Sequence, residues 1–139
     1  MNIKKLRNDA IIPRRAHPGD AGFDLYTPES FRLLAHGWKQ VPLGIAIEIE
    51  SDEVALVQGR SGLAINHGIT TIGNVIDSGY RGQISAVLLN NSDQSIHFKA
   101  GDRIAQLVIL RLGNLEVREV ETLSDTNRGV AGYGSTGLH

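Results

Sequence analysis

Apolar and polar residues alternate at Ile45, Ile47 and Ile49 and again across residues 54–57, the period-two pattern of strands that bury one face. Residues 84–89, 104–110 and 115–120 are short runs rich in leucine or β-branched side chains, each bounded by Gly, Asn or Asp, and they read as further strands. Helical spacing is scarce. The one candidate helix is Ser61–His67, with Ser61 placed to cap its start and Gly68 to supply the left-handed residue that ends it. Many short strands separated by frequent turns predict an all-β sandwich or barrel.

Length and composition narrow this picture. The 139 residues suit one domain, which at this size buries roughly two-thirds of its unfolded surface. No repeat or linker divides the chain. From Arg128 onward it reads RGVAGYGSTGLH, too poor in apolar surface to hold itself in a core. The expected organisation is a β domain over residues 1–125 and a flexible glycine-rich C-terminal arm over 126–139. With 14 Lys+Arg against 15 Asp+Glu, the net charge of −1 gives no broad positive field for nucleic acid or an anionic membrane, so neither is expected as a partner. An anionic ligand has to be met by a local site. There is no cysteine, hence no disulfide and no thiolate metal site. The absence of a signal-like N-terminus and of any apolar run near 18 residues suggests a soluble, unprocessed, cytoplasmic protein.

Two segments carry chemistry. In Gly59-Arg60-Ser61-Gly62-Leu63-Ala64, the free N–H groups of a helix start, a hydroxyl and a guanidinium together suit phosphate oxygens, while the plainer alternative is a helix cap with a surface arginine. In Val75-Ile76-Asp77-Ser78-Gly79-Tyr80-Arg81-Gly82, read as a tight hairpin, Asp77 is by itself an ordinary turn former, yet a carboxylate beside an aromatic ring could also activate water next to a stacked base. Gly132, Gly134 and Gly137 fit the G-x-G-x-x-G spacing, but no βαβ context surrounds them. His17, His36, His67, His97 and His139 show no zinc-ligand spacing, and there is no Walker A pattern.

Taken in order, the segments resemble the five motifs of the trimeric dUTPase family. GDAGFDL (19–25) is similar to the first, GRSGLA (59–64) to the second, GNVIDSGYRG (73–82) to the third, GDRIAQL (101–107) to the fourth and RGVAGYGSTG (128–137) to the fifth. The resemblance implies a jelly-roll-like β subunit in a homotrimer whose three active sites lie at subunit interfaces. It implies a Mg²⁺-dependent hydrolase that converts dUTP to dUMP and pyrophosphate, limiting uracil incorporation into DNA and supplying dUMP for dTMP synthesis.

The same resemblance assigns roles. Asp77 is the expected base for water attacking the α-phosphorus. Uracil and deoxyribose are expected to meet Asn74, Val75, Ile76, Tyr80 and Tyr133, with the Tyr80 ring excluding a ribose 2′-hydroxyl. Arg60, Ser61, Gly62, Gln106, Arg128, Gly134, Ser135 and Thr136 are expected to bind phosphates. Mg²⁺ is expected to have no direct protein ligand, with Asp24 reaching it through water, in keeping with this ion's reluctance to shed its shell. Three positions depart from the commonest family pattern: Gly59 stands where proline is frequent, Asn74 where glycine is, and Gly79 where a second Asp is.

A dCTP deaminase resembles the same fold but uses a glutamate where this chain has Val87, and it typically has a second serine where this chain has Gly62. A non-catalytic nucleotide-binding regulator is the remaining alternative; Asp77 argues against it, since a pure binder has no need of a carboxylate near a triphosphate.

Overall fold

Eleven strands and one short helix order the chain in a computed structural model that describes residues 1–131. The strands are β1 (Asn2–Lys5), β2 (Gly22–Tyr26), β3 (Phe31–Leu33), β4 (Trp38–Pro42), β5 (Ile45–Glu48), β6 (Glu53–Gln58), β7 (Ile69–Thr71), β8 (Val75–Asp77), β9 (Ser85–Asn90), β10 (Ile96–Phe98) and β11 (Arg103–Arg111), with α1 (Ser61–His67) between β6 and β7. The larger sheet runs β2-β11-β6-β8 and the smaller β4-β9-β7, while β1 pairs with β5 and β10 with β3. Every pairing is antiparallel. Neighbours far apart in sequence give the all-β class that the alternating pattern predicted, in the jelly-roll-like form that the resemblance implied.

The alternation does its expected work. Ile45 and Ile47 are buried with Ala55, Val57, Ala86, Leu88, Ile104 and Leu107 in one core that draws side chains from both sheets. Phe31 and Phe98 stack across the β3–β10 pair with centroids 4.9 Å apart. The one fully buried amide, Asn90, donates to Leu34 O and Gln94 O and accepts from Ser92, so its polar group is satisfied inside the core.

Three local readings need correction. The N-cap of α1 is Arg60, in extended geometry and without a side-chain cap bond, and Ser61 is the first helical residue. The extended backbone of β6 runs on through Arg60, so the helix starts one residue later than a serine cap requires. Gly68 does end the helix as expected, at φ +66. Residues 115–120 form no strand: Leu115 and Val117 are almost fully exposed, and among the described residues no strand lies beside them to take their backbone N–H and C=O groups. The segment bearing Asp77 is not a two-stranded hairpin either. β8 pairs with β6 in the larger sheet, whereas β9, which follows it, belongs to the smaller. Tyr133, Gly134, Ser135 and Thr136 lie outside the described residues.

Candidate active site

Strand register builds the first cavity. β11 lies between β2 and β6, and Gln106 is paired with Asp24 on one side and Gln58 on the other. Two residues beyond Gln58 come Arg60 and then Ser61 and Gly62 at the start of α1. The result is a polar cavity of about 390 Å³ lined by Asp24, Arg60, Ser61, Gly62, Arg103 and Gln106, with Asp20 and His17 at its edge. Gln106 Nε2 donates to Gly59 O at 2.9 Å and is thereby aimed at the α1 start. Gly22 is needed opposite it, since a Cβ there would collide with the Gln106 amide. Because the first intrahelical bond is Ala64 N to Arg60 O, the N–H groups of Ser61 and Gly62 have no acceptor within the helix.

Asp24 is mostly buried and holds two guanidiniums at once. Arg60 Nε lies 3.5 Å from its Oδ1 and Arg103 lies 3.3 Å from its Oδ2. Arg60 also donates to Arg103 O at 3.0 Å. Asp20 on the same wall brings the carboxylates level with the guanidiniums, and the two arginines gathered on Asp24 beside the directed N–H donors make an arrangement that suits phosphate oxygens.

A second cavity, about 220 Å³, lies between the two sheets' edges and is lined by Gly73, Val75, Ile76, Asp77, Tyr80 and Val87, together with Gln40, Gln83 and Ser85. Asp77 ends β8, paired with Val54, and its carbonyl accepts from Tyr80 N at 3.0 Å, closing the turn. Tyr80 is fixed at its far end by donation of its hydroxyl to Gln83 O at 3.2 Å, over a glycine, Gly82, whose missing side chain makes room for the phenol. Among the described residues Asp77 is the only carboxylate on the cavity wall.

Sequence reasoning missed the clamp behind this turn. Arg81 donates to the carbonyls of Ser78 and Tyr80 and reaches Glu48 on β5 at 3.4 Å, and Glu48 in turn accepts from Asn2 on β1 at 2.7 Å. The Asn2 bond and the Arg81 charge hold the Glu48 carboxyl below its usual range. Only the pairing of β1 with β5 brings these groups together, so no local motif could have shown it. Gln40 and Ser85, joined by a 3.3 Å hydrogen bond on the paired β4 and β9, were missed for the same reason.

The residues singled out from sequence therefore fall into separate groups. Arg60, Ser61, Gly62, Gln106 and Asp24 share the first cavity; Val75, Ile76, Asp77 and Tyr80 share the second. No lining residue is common to both. Asn74 is not on the second cavity's wall, Gly73 taking that place, and its carbonyl is engaged by Val57 N at 2.8 Å. Arg128 stands apart from both cavities, its Nε donating to Ala131 O. Among the described residues no group of three or more His, Cys, Asp or Glu side chains could form a metal cage, and no helix is long and apolar enough to cross a membrane.

Comparison with known proteins fits this layout. The family model described as dUTPase matches residues 8–137. The deoxyuridine 5'-triphosphate nucleotidohydrolase of Crocosphaera subtropica is 42% identical over 99% of both chains, and that of Thermobifida fusca is 44% identical over all of this chain and 79% of its own. Among solved structures, a mutant dUTPase of Staphylococcus bacteriophage 80alpha with dUpNHpp superimposes with a TM-score of 0.92 at 27% identity, covering 99% of this chain and 98% of that one. A dUTPase of phage phi11 of S. aureus, described for its coordination of a structural Mg(II) ion, shares the fold with a TM-score of 0.80 at 24% identity over 87% of this chain and 96% of its own. A matched family model over nearly the whole length, relatives above 40% identity and a jelly-roll-like fold that superimposes end to end agree: the chain belongs to the dUTPase family.

Proposed function

We propose that the chain hydrolyses dUTP to dUMP and pyrophosphate, a reaction that keeps uracil out of DNA and supplies dUMP for dTMP synthesis. The observation that carries this reading is the composition of the second cavity. Asp77 is its single carboxylate, while the wall position at which a deaminase would need a glutamate is occupied by Val87. Hydrolytic deamination therefore lacks its glutamate there, and one base beside a nucleoside suits water attack on phosphorus.

Each residue's part follows from its chemistry. Asp77 takes a proton from water as the water oxygen bonds to the α-phosphorus. The bond from that phosphorus to the bridging oxygen breaks, and pyrophosphate leaves. Tyr80, held at both ends, packs against the deoxyribose and leaves no space for a 2′-hydroxyl. The backbone of residues 74–80 pairs with the uracil edge, which rejects cytosine by leaving polar groups unmatched. Arg60, Ser61, Gly62 and Gln106 bind the phosphates. Arg128, Gly134, Ser135 and Thr136 close on them from the arm, and Tyr133 stacks on the base.

The metal of this reading is Mg²⁺. The first cavity fits it as a water-mediated partner: Asp24 offers a hard oxygen donor there, with Asp20 on the same wall. When bound, the ion neutralises phosphate charge and orders the triphosphate. Asp24 would hold the hydrated ion through water, with Arg60 and Arg103 beside it on the same wall.

The assembly is a homotrimer with shared sites. Two observations support it: among the described residues the phosphate and nucleoside cavities of one chain share none, and Leu115, Val117 and Leu123 stand exposed on a segment that forms no strand with any of them. The test is pyrophosphate release with Mg²⁺ from dUTP, dCTP, dTTP and UTP side by side. Rates should favour dUTP by at least about 10²-fold, the discrimination expected when a site's polar groups are left unpaired. Equal rates would remove both the substrate and the role of Tyr80.

A further inference from the structure

A third cavity, about 430 Å³, opens beside the phosphate cavity and takes no part in the reaction above. It is lined by Arg14, Arg15, Arg103, Tyr26 and Asp24, and it shares Arg103 and Asp24 with its neighbour. Its size falls in the range of small-ligand pockets. Its charge is one-sided. Three guanidiniums face one carboxylate, and Asp24 already divides its two oxygens between Arg60 and Arg103. Among the described residues neither Arg14 nor Arg15 has a carboxylate within 4.0 Å. A chain whose net charge is −1 thus gathers uncompensated positive charge at one concave place.

These arginines are held rather than merely exposed. The Arg14 carbonyl accepts from Asp24 N at 2.9 Å, which pins its backbone to β2, and its Nε lies 3.4 Å from the Tyr26 hydroxyl. The Arg15 guanidinium stacks over the Phe23 ring at 4.5 Å. Stacking occupies the flat face of a guanidinium and leaves its edge N–H groups directed outward, and the two terminal nitrogens of Arg14 have no protein acceptor among the described residues. Planar forks in that state match the paired oxygens of a phosphate better than any single-point cation does. A nucleic-acid backbone is the wrong occupant for a pocket this small on a chain without a broad positive field.

We propose that this cavity is a second anion subsite and that its ligand is inorganic pyrophosphate. The inference rests on the dUTP-hydrolysing reading, because that reaction releases pyrophosphate in the adjoining cavity. Arg103 borders both cavities, so the leaving anion exchanges Arg60 for Arg14 and Arg15 without crossing uncharged surface. Clearing the phosphate cavity in this way also lets dUMP leave without waiting for pyrophosphate to escape to solvent.

The test uses the full-length protein and inorganic pyrophosphate as the probe. Calorimetric titration should show more than one equivalent of pyrophosphate bound per chain. In the double variant Arg14→Gln, Arg15→Gln, one of those equivalents should weaken about tenfold, a step of about 1.4 kcal/mol, while the KM for dUTP stays within about twofold. Arg14→Lys with Arg15→Lys should fall between, since charge is kept and the fork is lost. A single equivalent in the unaltered protein, or identical titrations of unaltered and double-Gln protein, overturns the proposal. So does a KM for dUTP that rises as much as pyrophosphate binding weakens, because the arginines would then belong to the substrate site. Failure of the unaltered protein to turn over dUTP defeats the functional reading instead, and the titration distinguishes the two.

Discussion

The phosphate cavity and the turn that carries Asp77 are built by opposite means. Asp24, Gln106 and the residues entering α1 sit on three neighbouring strands whose register is fixed by a buried face, so a one-residue slip would expose Leu25, Val57 and Leu107 together. Asp77 and Tyr80 lie where the chain leaves one sheet for the other, and their turn is held by Arg81, Glu48, Asn2 and Gln83 through mostly exposed hydrogen bonds. The cost of misplacing the first region falls on the whole core. The cost of misplacing the second falls on a few exposed bonds that water can replace. Rigid anchoring of phosphates and a lightly held base and sugar contact are what the two parts of the reaction need: charge wants fixed donors, whereas a base closing on water has to settle after the substrate arrives.

The largest effect expected is on the turn. Asp77→Asn should lower kcat by about 10²-fold or more, the range for a lost general base, with nucleotide binding kept and the melting temperature little changed because the side chain lies on an exposed turn. Turnover near normal would place the base elsewhere. Next comes removal of residues 128–139. Of that segment the described residues 128–131 line neither cavity and are exposed, so the β domain should stay folded while turnover drops by about 10²-fold, measured by circular dichroism beside pyrophosphate release. Unfolding on truncation would show that the arm is part of the core.

On the rigid side, Gly22→Ala drives a Cβ into the Gln106 amide. Gln106 should swing off Gly59 O and the KM for dUTP should rise about tenfold, as when one hydrogen bond to a charged group is lost. An unchanged KM would mean that Gln106 does not hold phosphate. The smallest effect should come from Glu48→Ala, about threefold in kcat/KM, because Arg81 keeps its carbonyl contacts and loses only its anchor. This anchor is a lowered-pKa carboxylate, so it is intact above the usual glutamate range and is lost as pH falls through its depressed value. Between pH 6 and 8 the unaltered protein and the variant should therefore differ by a constant factor; a ratio that varies across that window would exclude Glu48 as the anchor.

Much of this was legible along the chain. Alternation at Ile45 and Ile47 located β5, and the apolar run ending at Leu110 located β11, because burial of one face imposes a period that survives in any strand. Arg60, Ser61, Gly62 and Gln106 were placed together through motifs, and the register of β2, β11 and β6 brings them to one cavity. Residues 115–120 carry the same apolar signal and form no strand in one chain, since a strand needs a partner as well as a pattern. Asn74 has the right neighbours in sequence but spends its carbonyl on β6.

What the sequence by itself determined is the set of chemical groups and the strand positions, because periodic burial and motif spacing are local properties of the chain. What only the tertiary structure decided is company: that Val87 faces the same cavity as Asp77, that Glu48 and Asn2 stand behind Arg81, and that Arg14 and Arg15 meet Arg103 across Asp24. Those pairings join residues from strands separated by tens of positions. They are fixed by the order in which antiparallel strands close around one core, which no window of sequence contains.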